Sequence, residues 1–208
     1  MTGGLPARSF SERQKDALGE VCNICAGNAS IALSQMLNRK VDLSVPRANM
    51  LPLAAVPDLV GGPERTVAGV YLHIEGDCSV SILLLLEEES AMALAGLMVR
   101  EGHPARDEER VRLSALRETG GILLGAYLNA LGLMTRLDFK PAVPAFAMDM
   151  AGAIMGYVLT DLAEAEDFVL AVETDFRVSG QRINGHLIML PDFGALDVII
   201  ERLGVPIE

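Results

Sequence analysis

The sequence predicts an α/β (α+β) fold made by internal duplication: a mixed or antiparallel sheet of about six strands, a pseudo-twofold axis relating the halves, and two long helices on the outer surface. Three observations predict it. A polar pattern occurs twice, Asp16, Glu20, Asn23 and Pro46 recurring as Ser114, Glu118, Gly121 and Pro144, each 98 residues later. Each copy begins in a long segment whose apolar residues recur with helical period, and strand and hairpin signals follow it in the same order. Half of the 208 residues are hydrophobic, enough for one domain or two fused halves.

The elements follow in order. A helix runs from about Ser11, which can cap it with Gln14, to Leu37. A strand from Lys40 to Val45 is closed by Pro46, which cannot donate to a central ladder. A short helix, Pro52 to Val60, stops at Gly61-Gly62-Pro63. Two apolar runs, Thr66–Ile74 and Ser79–Leu86, form a hairpin turning at Glu75-Gly76-Asp77, and a helix from Glu88 to about Val99 completes the half. The second half repeats this order: helix Arg112–Leu133, strand Arg136–Pro141, helix Ala147–Leu162, strands Asp167–Val178 and Gly185–Leu190, and helix Phe193–Leu203. The organisation expected is an N-terminal tail (1–10), a first half (11–100), a linker (101–106), a second half (107–204) and a short C-terminal tail (205–208). Leu86 aligns with Leu190, an offset of 104, so extra length is expected between the second strand of the half and its return.

Charge and composition exclude several functions. A net charge of −11 without a basic cluster opposes nucleic acid and weakens a membrane-surface role. No apolar run is long enough to span a bilayer, and Met1 to Arg13 lacks the apolar stretch of a signal peptide, so a soluble cytoplasmic protein is expected. Cys22 and Cys25 lie one turn apart inside the first helix with Cys78 as the other thiol, which reads as buried packing and not as a redox or metal motif. His73, His103 and His186 are scattered, and no cofactor or metal site is expected on this chain.

The functional signal is the polar stripe. At about 100° per residue, Asp16, Glu20, Asn23 and Gly27 fall within roughly 60° of one another, opposite the apolar stripe of Leu18, Val21, Cys25 and Ala29. Glu20 and Asn23 therefore face outward one turn apart. The second helix repeats the design with Ser114, Glu118, Gly121 and Gly125, but Gly121 replaces the asparagine. Gly120-Gly121 could loosen that helix or admit a close neighbour. The segment Phe146–Met155 is apolar nearly all round, with Asp149 as its single charge; it suits either a buried core helix or a methionine-rich docking face.

These residues carry a resemblance. The Asp16-x-x-x-Glu20-x-x-Asn23 pattern with Pro46, the run Asn23-Ile24-Cys25-Ala26-Gly27-Asn28-Ala29, Gly61-Gly62-Pro63 and the duplication resemble the CheC group of chemotaxis phosphatases, related to CheX and FliY. The likeness spans about Ser11 to Gly204. It implies a phosphatase acting on the phosphorylated response regulator CheY, with the aspartyl phosphate and Mg²⁺ held in the regulator's own pocket. By resemblance Asn23 orients the attacking water and Glu20 pairs with a lysine of the regulator, Glu118 marks a degenerate second site, and the region of Asp149 resembles the docking place of the receptor deamidase CheD. A carboxamide suits the first role because it offers both a donor and an acceptor to one water. The alternative is an adaptor that binds phosphorylated CheY or CheD and hydrolyses little; a FliY-type switch role is the weaker variant, since no switch-assembly domain follows before Glu208.

Overall fold

The computed structural model describes residues 10–98, 108–161 and 168–205. Helix α1 (Glu12–Leu37) opens on a capping box: the Ser11 hydroxyl accepts from Gln14 N–H, and Gln14 Oε1 accepts from Ser11 N–H at 2.8 Å. It stops at Asn38, whose φ of 48° is left-handed. Helix α3 (Glu108–Thr135) is its counterpart and stops at Arg136, φ 57°, 98 residues after Asn38. The duplication thus extends to the helix ends.

The strands are β1 (Val41–Pro52), β2 (Thr66–Gly76), β3 (Val80–Glu87), β4 (Phe139–Pro141), β5 (Ala145–Met150), β6 (Phe168–Val178) and β7 (Gln181–Pro191). They form one antiparallel sheet in the order β1-β6-β7-β3-β2-β4, with β5 also on β2. Exchanging the halves reverses this order and leaves it unchanged, which is the signature of a twofold axis between β3 and β7. Each half lends its outer strand to the other: β1 lies on β6, and β4 with β5 lies on β2. The two halves therefore share one sheet.

Both faces of the sheet are covered, which is why β2 and β3 read as nearly continuous apolar runs. One face, with Val70, Leu72, Ile82, Leu84, Val172 and Leu187, packs against α1, α2 (Glu88–Met98), α3 and α5 (Ala195–Arg202). The other, with Val67, Tyr71, Leu83, Leu85, Val169 and Ile188, packs against a 3-10 helix (Leu53–Val60) and α4 (Ala151–Asp161).

Four sequence expectations change. The first strand does not end at Pro46; its backbone passes through an irregularity between Ser44 and Arg47 and continues to Pro52. The second half breaks at the same place, between Pro141 and Ala145, because proline at an outer strand interrupts the ladder without ending the pairing. Residues 147–150, expected as the start of a helix, are strand, since β2 offers their backbone an edge that the local pattern cannot reveal; the helix starts at Ala151. Leu86 and Leu190 are not equivalent either, since they face opposite sides of the sheet. Leu84 pairs with Leu187 near the axis, an offset of 103, and a one-residue slip turns every side chain over. The added length enters mostly between Ala151 and Phe168, not at the strand's return, because β6 starts 102 residues after β2. The expected linker 101–106 lies outside the described residues.

Candidate functional site

Helices α1 and α3 lie side by side, and their buried faces set where the polar stripes point. On α1, Leu18, Val21, Cys22, Cys25, Ala26, Ala29 and Leu33 are buried; on α3, Leu116, Thr119, Gly120, Leu123, Leu124, Tyr127 and Leu131 are. Asp16, Glu20 and Asn23 are left exposed, as are Ser114 and Glu118, with Gly27, Gly121 and Gly125 half-buried. The C-terminal part of α1 is tied to β1 through Val41: the Ser30 hydroxyl donates to its carbonyl at 2.6 Å, and its N–H donates to Ser34 Oγ at 3.0 Å. The motif thus stands on a helix capped at its N-terminus and tied to β1 in its C-terminal part.

The side chains of Glu20 and Asn23 have no hydrogen-bond or ion-pair partner among the described residues. A solvated pair one turn apart can turn a carboxylate and a carboxamide toward the same partner. Two exposed apolar residues to which the sequence assigned no role lie on the same side. Ile24 is 39% exposed and Ile31 is 60% exposed, and both project on the Glu20 side of the helix. Their signal was present in the sequence: neither fits the buried stripe, so each had to face outward. Together they give the polar pair an apolar border of the kind found at docking surfaces.

The second copy is a hollow. Ser114, Arg117, Glu118, Gly121, Ile122 and Pro144 line an open depression of about 420 Å³. A Cβ on Gly121 would lie 3.4 Å from Pro144 Cγ, an ordinary contact, so the glycine leaves room that a side chain could fill. Gly120 differs sharply: a Cβ there would fall 2.4 Å from Val70 Cγ2. Of the two roles considered for the pair, close approach applies to Gly120, which lets α3 settle on β2.

The cysteines are packing residues. Cys22 and Cys25 are buried beside the Tyr127 hydroxyl between the two helices, and Cys78 is half-buried. Desolvation pushes the Cys22 thiol up to about 11 and that of Cys25 to about 12, which leaves both protonated and unreactive at neutral pH. Among the described residues no group of three or more His, Cys, Asp or Glu side chains lies together as a metal set, and no helix is long and apolar enough to cross a membrane.

Asp149 does not line the depression on α3. It sits on β5, exposed, with Oδ1 accepting Met150 N–H at 2.7 Å. It lines a second cavity of about 430 Å³ on the other side of the sheet with Tyr71, Phe146, Ile154 and Tyr157, whose ring meets Tyr71 edge-on. The methionine-rich segment divides here: Met155 is buried, whereas Met150 is 48% exposed.

Comparison with known proteins agrees with this architecture. The sequence profile described as the CheC-like family matches residues 14–50, the segment that carries Glu20 and Asn23. The structure of Thermotoga maritima FliY superposes with a TM-score of 0.73 at 18% identity, covering 95% of this chain and 98% of that one. A chain of the crystal structure of the CheX–CheY–BeF₃–Mg²⁺ complex from Borrelia burgdorferi superposes with a TM-score of 0.51 at 16% identity, covering 81% of this chain and 96% of that one. The CheY-P phosphatase CheC of Bacillus subtilis (strain 168) is 34% identical over 202 residues, 94% of this chain and 96% of the relative. With that identity along nearly its whole length, the chain belongs to the CheC family.

Proposed function

We propose that this protein is a hydrolase that removes phosphate from the aspartyl phosphate of a CheY-type response regulator, with Asn23 orienting the attacking water and Glu20 docking the regulator. Water adds to phosphorus in line with the aspartyl oxygen, the phosphorus–carboxylate bond breaks, and aspartate and inorganic phosphate leave, the water's protons passing to the phosphate. Mg²⁺ belongs to the regulator's pocket, where it neutralises phosphoryl charge. Asn23 can donate one hydrogen bond through its N–H and accept one through its carbonyl oxygen, so it can fix a water's orientation without acting as a base, as a glutamine does in GTPases. The rate gain is one of positioning.

The observation that carries this reading is the exposed, unpartnered Glu20–Asn23 pair on an anchored helix, inside the segment that matches the family profile. The name of the Bacillus subtilis relative, CheY-P phosphatase, supports the reaction class. Phosphate release from phosphorylated regulator, with wild-type protein and with Asn23→Ala, tests it. Acceleration by wild type and its loss in the variant are expected. Undiminished activity in Asn23→Ala would remove Asn23 from the mechanism, and binding without acceleration by wild type would leave an adaptor.

A second partner, CheD, is assigned to the apolar cavity between β5 and α4, on the opposite side of the sheet. Its lining of Ala145, Ile154 and Tyr157 (59% exposed) supports this, with the exposed Asp149 as the polar handle. Tyr157→Asp is expected to abolish capture of CheD; undiminished capture would place CheD elsewhere.

A further inference from the structure

The second motif helix is altered at more than one position. At the same offset, Arg117 stands where α1 carries Gly19, and Ser114 where it carries Asp16. The first stripe presents two carboxylates. The second presents a hydroxyl, a guanidinium and one carboxylate around an open depression whose floor is Gly121 and Pro144. Arg117 lies about 40° around the helix from Gly121, beside the position that the carboxamide has vacated. Neither Arg117 nor Glu118 has an ion-pair partner among the described residues, although the chain as a whole carries a net charge of −11.

The exposed Arg117 guanidinium places a local positive charge at the depression in an otherwise acid-rich chain. Its planar donors match phosphoryl oxygens two at a time, and it can neither accept a hydrogen bond from a water nor act as a base. The repeated frame, Glu118 with Pro144 at the offset of the first copy, gives α3 a carboxylate in the place that Glu20 holds on α1. What the frame lacks is the group that orients water.

We infer that the α3 surface binds the phosphorylated form of the same regulator and retains it unhydrolysed, with Arg117 pairing to phosphoryl oxygens and Glu118 keeping the register. The inference rests on the reading of Glu20 and Asn23 given above. One chain then carries a hydrolysing face and a retaining face related by the pseudo-twofold axis. Retention leaves the phosphoryl group unhydrolysed by α3 because no group there orients a water.

The test uses the full chain and regulator loaded with beryllium fluoride and Mg²⁺ as a stable phosphoryl mimic. Calorimetry should find two regulators per wild-type chain and one per Glu20→Ala/Asn23→Ala chain. Adding Arg117→Glu to the latter should weaken the remaining site at least tenfold, and Arg117→Lys should restore part of it. With authentic phosphorylated regulator, excess Asn23→Ala protein should leave the phosphoryl lifetime equal to or longer than that of free regulator. The inference is overturned if Glu20→Ala/Asn23→Ala binds no regulator, if Arg117→Glu leaves the remaining site unchanged, or if Asn23→Ala with Arg117 intact shortens the lifetime while Asn23→Ala/Arg117→Glu does not. A chain that dimerises through this face, seen by light scattering as loss of dimer in Arg117→Glu, would also overturn it. Failure of the Asn23 reading is distinct: there Asn23→Ala hydrolyses as fast as wild type, with or without Arg117→Glu.

Discussion

Gly120→Ala and Gly121→Ala are neighbouring, chemically identical changes that should move stability in opposite directions. At Gly120 the new methyl would fall 2.4 Å from Val70 Cγ2 and 2.9 Å from both Val70 Cβ and Cγ1. Carbon atoms prefer about 3.5–4.0 Å, so the overlap is about 1 Å. Val70 is buried, and its branched side chain has little rotamer freedom to yield. Overpacking of this kind costs about 1–3 kcal/mol, against a helix-propensity gain of about 1 kcal/mol. Taking the upper end for an overlap against three atoms, the net loss is about 2 kcal/mol, or a Tm lowered by about 4–8 °C for a chain of this size. At Gly121 the methyl would meet Pro144 Cγ at 3.4 Å, so the propensity gain stands nearly alone and Tm should rise by about 2–4 °C. Thermal unfolding followed by circular dichroism measures both. Equal shifts in the two variants, or a stabilised Gly120→Ala, would refute the close approach of α3 to β2.

Other predictions concern the site and the buried groups. Glu20→Gln should weaken regulator binding at low salt, and the difference from wild type should shrink as ionic strength rises, because an exposed charge pair is screened; titrations at two salt concentrations read this, and a salt-independent difference would argue against an ion pair. The thiols of Cys22 and Cys25 should resist a disulfide-exchange reagent at pH 8 until the chain is unfolded, given their burial and pKa values raised to about 11 and 12. The same shifts have a sign in stability: both groups are neutral in either state below the unfolded value of 9.0, so their contribution is complete there and is lost as pH rises from about 9 through about 12. Urea midpoints from pH 7 to 11 should fall on the alkaline side, and less steeply in Cys25→Ala.

The motif helices were legible because everything that fixes them is local. Period, the Ser11–Gln14 cap and the outward stripe all lie within one segment, and the repeat at 98 residues sets the second helix by the first. The hairpin of β2 and β3 was equally local. What escaped was decided at long range. Residues 145–150 form a strand only because β2, some 80 residues away, presents its edge, and the apolar character of Phe146–Met155 conceals the junction between strand and helix. Pro46 looked like a terminator because a sequence shows the missing donor but not that the strand is at the sheet's edge. The equivalence of the return strands failed by one residue because leucine occupies both faces of β3, so composition there carries no information on which side a residue faces. In the site, Ile24 and Ile31 were visible as misfits on the polar side, while the hollow at Pro144 and the clash that makes Gly120 obligatory required the packing of β5 and β2.

The central claim is that a carboxamide one helical turn from a docking glutamate turns this frame into a phosphatase. Gly121→Asn in an Asn23→Ala background tests it most directly, because Asn is a better helix former than Gly and the site has room for a Cβ 3.4 Å from Pro144 Cγ. Asn23→Ala is expected to be inactive, and the double variant is expected to accelerate phosphate release from the regulator again, with Glu118 taking the role proposed for Glu20. A folded double variant that binds phosphorylated regulator yet releases phosphate no faster than Asn23→Ala would contradict it.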